Sequence, residues 1–294
     1  MKIVCAIDGS RYSQWALDWL RRIRVSNDVS LLLVHAVDMT QFRTFSTLDQ
    51  KARSTLVKVL DFSLEAAARL LESAELKAAQ AWGHVRAKLL RGHPATAIAH
   101  SAKRERADLL VMGSRGVTEF QPMLLGSVSR KVLIQASCPV LLIKKPARTL
   151  KRIVLGTDGS VESWGAVAWL EQLPQTVRPT VTVASVIPPL PLEGVRVPAG
   201  ALAVGDQVEG MLRREVKKLA SRVAGTLRKA GFSANEMVMA GHPGAELVEL
   251  ARHEQADLLV VGSRSGRNAQ EYFMGSVADT VVKHAPCSVL VHRG

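Results

Sequence analysis

Aromatic side chains make up only 4% of the 294 residues, and cysteine occurs three times. Each scarcity excludes something. Three scattered cysteines without a Cys-x-x-Cys spacing rule out a disulfide framework and the common thiolate metal sites. Cys138 and Cys287 stand instead at the head of apolar runs, as small core residues do. With few aromatics, the 47% hydrophobic content rests on Ala, Val and Leu, which suits β-branched buried strands alternating with Ala- and Leu-rich helices. Long hydrophobic runs are also missing. None approaches the roughly 18 residues of a spanning helix, and Ile3–Ile7 is too short for a secretory leader and meets Asp8 at once. A cytoplasmic α/β protein without a membrane partner is expected.

Three signatures of catalysis are absent as well: Gly-x4-Gly-Lys-Ser/Thr, Gly-x-Gly-x-x-Gly and His-Glu-x-x-His. Their absence leaves no ready nucleophile, metal cluster or general base. The formal net charge is +13 and is unevenly shared. Residues 1–148 carry 23 Lys and Arg against 12 Asp and Glu, and residues 149–294 carry 16 against 14. A basic face attracts nucleic acid or anionic lipid, but these charges are dispersed along helices, and tryptophans such as Trp15 and Trp19 fall at apolar helical spacing. Solvated helix faces explain the charge better than a nucleic-acid interface does.

What is present is a text written twice. Val4-Cys5-Ala6-Ile7-Asp8-Gly9-Ser10 returns as Val154-Leu155-Gly156-Thr157-Asp158-Gly159-Ser160, and Gly113-Ser114-Arg115-Gly116 as Gly262-Ser263-Arg264-Ser265. Between them, Gly92-His93-Pro94-Ala95 matches Gly241-His242-Pro243-Gly244, and Ala107-Asp108-Leu109-Leu110-Val111 matches Ala256-Asp257-Leu258-Leu259-Val260. A period of about 150 residues is one ordinary globular domain. Two domains are expected, over 1–146 and 150–294, joined by the short polar stretch 144–151.

Each half reads as five strands with four intervening helices. In the first half, apolar runs place strands at 2–7, 29–37, 82–90, 108–112 and 140–143, with a long helix through Leu56–Leu76. In the second they fall at 152–157, 180–187, 236–240, 257–261 and 288–291, with a long helix over 207–230. Several runs are uniformly apolar, as strands covered on both faces are. The fold class is therefore α/β, two tandem doubly wound, Rossmann-like domains with mainly parallel sheets. Pro188 to Gly205 and its shorter counterpart Met39 to Gln50, with Phe42, Arg43 and Phe45, read as loops. Both suit either a cover over a ligand or surface padding.

In such sheets ligands bind beyond the carboxyl ends of the strands, at the point where strand order reverses. Asp8-Gly9-Ser10 leaves the first strand there, offering a carboxylate for sugar hydroxyls, although a simple turn and helix cap uses the same residues. The second motif, Gly113-x2-Gly116-x9-Gly126-Ser127, leaves the fourth strand and ends at a helix start. Glycines admit an anion close to backbone N–H groups, and a helix N-terminus presents free donors and a positive dipole to phosphate. Ser127 and Ser129 add hydroxyls. Arg115 and Arg264 lie inside this loop, where a guanidinium pairs with phosphate or else faces water or a partner. His93-Pro94 and His242-Pro243 read as helix caps.

With these residues the chain resembles the universal stress protein family, whose adenine-nucleotide-binding members carry Gly-x2-Gly-x9-Gly-Ser/Thr with an early-strand Asp. The run Gly126-Ser127-Val128-Ser129-Arg130-Lys131-Val132 leading to Cys138-Pro139-Val140 echoes the family's carboxyl end. The resemblance covers nearly the whole sequence as two copies. It implies ATP or another adenine nucleotide, with or without Mg2+, as cofactor. Asp8 would contact ribose, the backbone at Ala36 and Val37 the adenine edge, and Gly113, Gly116, Gly126, Ser127 and Ser129 ribose and phosphates. The second-copy equivalents are Asp158, Val186, Gly262, Gly275 and Ser276.

There the pattern breaks. Ser265 replaces the second glycine, with Gly266 one place later, and Ala278 replaces Ser129. If the lost glycine needs a positive φ, Ser265 is strained by about 1 kcal/mol or more, and a missing hydroxyl costs a further ~1 kcal/mol of binding. The sequence thus points to a nucleotide-binding, stress-linked regulatory protein whose first copy is competent and whose second has diverged. A slow ATPase or other nucleotide-processing enzyme ranks second, and a basic nucleic-acid-binding module third. The resemblance also implies that the halves dock through their last strands as an internal pseudo-dimer, with homodimerisation as a further step.

Overall fold

The computed structural model describes residues 1–23, 29–40, 50–116, 125–146, 149–174, 177–189, 199–263 and 274–293, with backbone alone at 23 and 199–206. The loop 39–50 that carries Phe42, Arg43 and Phe45 lies largely outside them, as do Arg264, Ser265 and Gly266. The chain divides into two units, Met1–Ala147 and Arg148–Gly294.

In the first unit the strands β1 (Lys2–Ala6), β2 (Ser30–Val37), β3 (His84–Arg91), β4 (Leu109–Gly113) and β5 (Val140–Ile143) alternate with the helices α1 (Arg11–Ile23), α2 (Gln50–Ala79), α3 (Pro94–Glu105) and α4 (Ser127–Gln135). The order across its sheet is β3-β2-β1-β4-β5, with every pair parallel. Residues 109–113 and 140–143 are buried throughout, as strands sandwiched between helices are. Helix α1 packs on β4 and β5, α2 on β2 and β3, and α3 against α4.

The second unit repeats this with β6 (Arg152–Gly156), α5 (Val161–Glu171), β7 (Thr180–Ile187), α6 (Ala199–Lys229), β8 (Ser233–Ala240), α7 (Pro243–His253), β9 (Leu258–Gly262), α8 (Ser276–His284) and β10 (Ser288–His292). Its parallel order is β8-β7-β6-β9-β10. In both units the order reverses between the first and fourth strands. Among the described residues, no helix is long and apolar enough to cross a membrane.

The repeated Ala-Asp-Leu-Leu-Val text serves the sheet. Asp108 accepts the backbone N–H of Lys2 at 2.7 Å, and Asp257 accepts that of Lys151 at 2.8 Å. Each carboxylate satisfies a donor where the first strand begins, which sequence spacing alone did not disclose.

Three boundaries differ from expectation. Helix α6 begins at Ala199, so Gly200 and Gly205 are helical and not loop. Each glycine costs about 1 kcal/mol in a helix relative to alanine, while Ala199, Ala201, Leu202 and Ala203 around them are among the strongest helix formers. Strand β8 begins at Ser233, three residues early, because pairing with β7 starts at Thr180–Ser233. Helix α2 extends beyond 56–76, yet its buried residues are Ala67, Leu71, Ala74 and Ala78 alone. The apolar residues Val57, Val59 and Phe62 are exposed.

One packing swap separates the units. Trp15 and Ile143 of the first unit correspond to Gly165 and His292 of the second. A Cβ on Gly165 would lie 2.2 Å from His292 Cε1, so the imidazole occupies the space beside the helix where a side chain at 165 would begin. Burial pushes the His292 pKa below its ordinary value of 6.5, with Glu162 opposing the shift. The neutral ring is favoured in the folded state, so its stabilisation is present above pH 6.5 and is lost as pH falls through the depressed folded value.

Two predictions follow from this packing. Gly165→Ala destabilises by about 1–3 kcal/mol through overpacking, whereas in a His292→Ala background the same change is neutral or stabilising by up to about 1 kcal/mol. Denaturant titration of the four proteins measures this, and His292→Ile flattens the loss of stability below pH 6.5. The second concerns the thiols. Cys5, Cys138 and Cys287 are all buried, and desolvation pushes Cys5 and Cys138 up to about 12. At about pH 8.5, where a free cysteine is half thiolate, the native protein leaves a thiol reagent unreacted and denaturation releases all three.

Candidate functional site

The C-terminal ends of β1 and β4 bring the two motifs together in the first unit. Gly9 takes φ 81°, a left-handed turn that glycine adopts freely. It reverses the chain into α1. The Asp8 carboxylate accepts the Ser10 N–H at 3.0 Å, and the Ser10 hydroxyl accepts the Ser13 N–H at 3.2 Å. This turn faces the glycine loop, because a Cβ added to Gly116 would lie 2.9 Å from Asp8 Oδ2. Gly116 is not among the positive-φ residues. The expected reason for a glycine here is corrected: the constraint is room beside the Asp8 carboxylate, not backbone handedness.

Gly113 answers to a different neighbour. A Cβ there would meet Tyr12 Cβ at 2.6 Å, so this glycine lets α1 press against the end of β4. Ser129 is buried in α4, and its hydroxyl donates to the Gly113 carbonyl at 2.9 Å. That bond ties the helix after the loop to the strand before it. Gly126 is the N-cap of α4 and has no side-chain cap, and its own N–H donates to Ser114 O at 2.9 Å. Ser127 opens the helix at an exposed position. A helix start without a side-chain cap has donors for an anion.

Arg115 is held against α1. Its Nη1 donates to the Tyr12 hydroxyl at 3.1 Å, and its guanidinium lies 5.7 Å from the centre of the Tyr12 ring. Arg11 donates to the same hydroxyl at 3.1 Å. Two cations thus flank one phenol beside the Asp8 turn. Ala36 and Val37 end β2, with the Val37 carbonyl accepting the Gly92 N–H at 3.1 Å. His35, one residue before, lies 2.7 Å from Ile7 O through Nδ1 and so carries a proton there.

The second unit retains the frame with other side chains. Asp158 accepts the Ser160 N–H at 3.0 Å, and Gly159 takes φ 77°. Ser185, at the position of His35, donates to Thr157 O at 2.9 Å. Gly262 is again tight against the helix, where a Cβ would lie 3.0 Å from Glu162 Cβ, the residue at the place of Tyr12. Gly275 is an N-cap without a side-chain cap, and Ser276 follows at an exposed position. Ala278 is buried where Ser129 stands in the first unit, so the bond to the strand carbonyl is absent.

A cavity of about 230 Å³ opens here, lined by Asp158, Val186, Gly262 and Gly275 together with Thr157, Ser163, Ser263 and Leu247. Four of the five site residues expected in this copy therefore share one space. Ser276 does not line it. The Ser263 hydroxyl is buried in this wall with no hydrogen-bond partner, the kind of unsatisfied group that a ligand or water satisfies. Sequence reading missed Thr157, Ser163 and Ser263; for Thr157 and Ser263 the legible signal was a hydroxyl directly after an apolar strand, whereas Ser163 lies in the first turn of α5.

The paired histidines require correction. His93 and His242 occupy the N-cap positions of α3 and α7 with proline following, but neither ring caps the helix. Pro94 and Pro243 remove one of the orphan donors by themselves. His93 Nε2 instead lies 3.2 Å from Lys131 Nζ. Nearby, the Thr40 hydroxyl donates to Asp38 at 2.6 Å and holds its carboxyl below the usual range, assisted by the charges of His93 and Lys131. Asp38 and Lys131 were not among the expected residues.

Comparison with known proteins places this geometry. The model of the universal stress protein family matches residues 1–144 and again 149–293. The universal stress protein Rv2623 of Mycobacterium tuberculosis is 29% identical, over 99% of this chain and 96% of its own length. The universal stress protein MJ0531 of Methanocaldococcus jannaschii is 32% identical, over 50% of this chain and 84% of its own. Among solved structures, a universal stress protein from Archaeoglobus fulgidus superposes with a TM-score of 0.67 at 19% identity, covering 99% of this chain and 96% of that one, a likeness of fold. Two family matches in tandem cover both units, and the chain belongs to the universal stress protein family.

Proposed function

We propose that this protein is a cytoplasmic, nucleotide-binding regulator that holds an adenine nucleotide, ATP foremost, at the switch point of the first unit. The observation that carries this reading is the convergence of the Asp8 carboxylate, the tight space at Gly116 and the uncapped start of α4 at Gly126. A ribose hydroxyl donates to a carboxylate, and phosphate accepts from helix-start N–H groups. Asp8 then takes the ribose, the ends of β2 at Ala36 and Val37 the base, and Gly116, Gly126 and Ser127 the phosphates. Gly113 and Ser129 position that loop, since their contacts are with Tyr12 and with each other. Arg115 stands beside the phosphates on Tyr12.

The second unit, on the same reading, is a weaker site. Its cavity is below the roughly 300–1,000 Å³ of small-molecule pockets and admits part of a nucleotide, while Ser265 and Ala278 remove a phosphate-loop glycine and a loop-fastening hydroxyl. The domain limits 1–146 and 150–294, pairing of the halves through their last strands as an internal pseudo-dimer, and homodimerisation belong to the same proposal. They rest on the tandem family match. Light scattering of the full chain at twice its mass supports homodimerisation.

The deciding experiment is to denature the purified protein and quantify what it releases by mass spectrometry. About one equivalent of adenine nucleotide is expected. Asp8→Ala weakens binding about tenfold or more through loss of a charge-assisted hydrogen bond worth ~1.5–3 kcal/mol, and Gly126→Asp does so to a similar extent by setting a carboxylate against the phosphates. Asp158→Ala leaves the retained equivalent in place. Two equivalents in the wild type, or loss in Asp158→Ala and not in Asp8→Ala, overturn the assignment to the first unit.

A further inference from the structure

A second concave surface in the first unit shares no residue with the switch-point site. It is a groove of about 530 Å³ between the end of β3 and one side of α3, lined by Leu90, Arg91, Ala97, His100, Ser101, Lys103 and Arg104. Arg91, His100, Lys103 and Arg104 are all exposed. Among the described residues none of these four side chains has a carboxylate partner. The acids nearest in sequence are committed elsewhere: Glu105 pairs with Arg86 at 3.2 Å, and Asp108 accepts the Lys2 N–H at 2.7 Å. Like charges gathered without a counter-charge repel one another, and an anion relieves that repulsion.

Two further observations point the same way. Ser101 is 3% exposed, and its hydroxyl has no hydrogen-bond partner, although a helical serine ordinarily donates to the carbonyl four residues earlier. A buried polar group lining a basic groove is a donor awaiting an acceptor. The duplication supplies the comparison. The residues at the places of Arg91, His100, Ser101 and Arg104 are Ala240, Glu249, Leu250 and His253. Lys103 is matched by Arg252, but there the guanidinium is neutralised by Glu249. The fold alone therefore does not require this cluster.

We infer that this groove binds a compact phosphate-bearing small molecule, with the Arg91 and Arg104 guanidinium forks and the Lys103 ammonium gripping phosphate oxygens. Arginine matches phosphate with two parallel donors, and lysine adds a point charge. The volume is that of a small-molecule site, roughly 300–1,000 Å³. No aromatic ring lines the groove to stack a base, which disfavours single-stranded nucleic acid.

The test is calorimetric titration of the full chain with pyrophosphate at low salt. The groove event has the same affinity in wild type and Gly126→Asp, since the latter alters only the switch-point site and removes any second event there. Arg91→Gln/Arg104→Gln weakens binding by roughly tenfold or more, with an unchanged thermal midpoint. Lys103→Gln, at an exposed helix position, gives a several-fold loss and reads the same site should the double variant misfold. Absence of binding in the wild type, or equal affinity in all the groove variants, overturns the proposal. So does a 20-base-pair duplex that binds more tightly than pyrophosphate and depends on the same arginines. Loss in Gly126→Asp with no loss in the groove variants would place the pyrophosphate at the switch point instead, and overturn the groove.

Discussion

The site depends on how closely the first helix can approach the end of the fourth strand. Gly9 turns the chain with φ 81°, so α1 starts within a few residues of β1. Its Tyr12 then rests on Gly113, where any side chain would collide at 2.6 Å. That contact fixes three things together: the Asp8 turn, the emergence of the glycine loop and the seat of Arg115 on the Tyr12 ring. Ser129 closes the arrangement by fastening α4 to the Gly113 carbonyl at 2.9 Å. The described residues on either side of the loop, Gly113 and Ser129, are thus fastened to one another by contacts within the protein.

The second unit shows which of these contacts the fold needs. It keeps the left-handed Gly159, the carboxylate of Asp158 and the helix pressed on Gly262. It exchanges almost everything else. Tyr12 becomes Glu162, His35 becomes Ser185, Ser129 becomes Ala278, and the Trp15–Ile143 pair becomes Gly165–His292. In the last exchange the His292 ring of β10 sits where any side chain at Gly165 would have to go. These exchanges leave the turn glycines in place while changing the chemistry at the strand ends.

Much of this was legible in the sequence. Uniformly apolar runs such as Leu109–Met112 and Val140–Ile143 marked buried parallel strands, and the paired motifs fell where strand order reverses. What escaped was whatever depends on a neighbour far along the chain. Nothing beside Gly113 in sequence announces Tyr12, and nothing beside His93 announces Lys131. The start of α6 was misplaced because Gly200 and Gly205 read as breakers, whereas helix propensity sums over a whole window. The cavity of the second unit was illegible for the same reason: it is a space between side chains from β6, β7, α7 and β9.

The glycines of the repeated motif can now be separated by cause. Gly113 is required by a helix and Gly262 is favoured by one, since the atoms a side chain would approach belong to Tyr12 and Glu162. Gly116 is required by a carboxylate, since the atom it would strike is Asp8 Oδ2. Recurrence of the first kind says only that the fold has been kept. Recurrence of the second kind bears on the ligand, because it keeps the carboxylate accessible and the loop close to it. The second copy preserves its packing glycine and replaces the other with Ser265. The second copy thus keeps the glycine that its helix packing presses on and, on the proposed reading, gives up the one that serves the ligand.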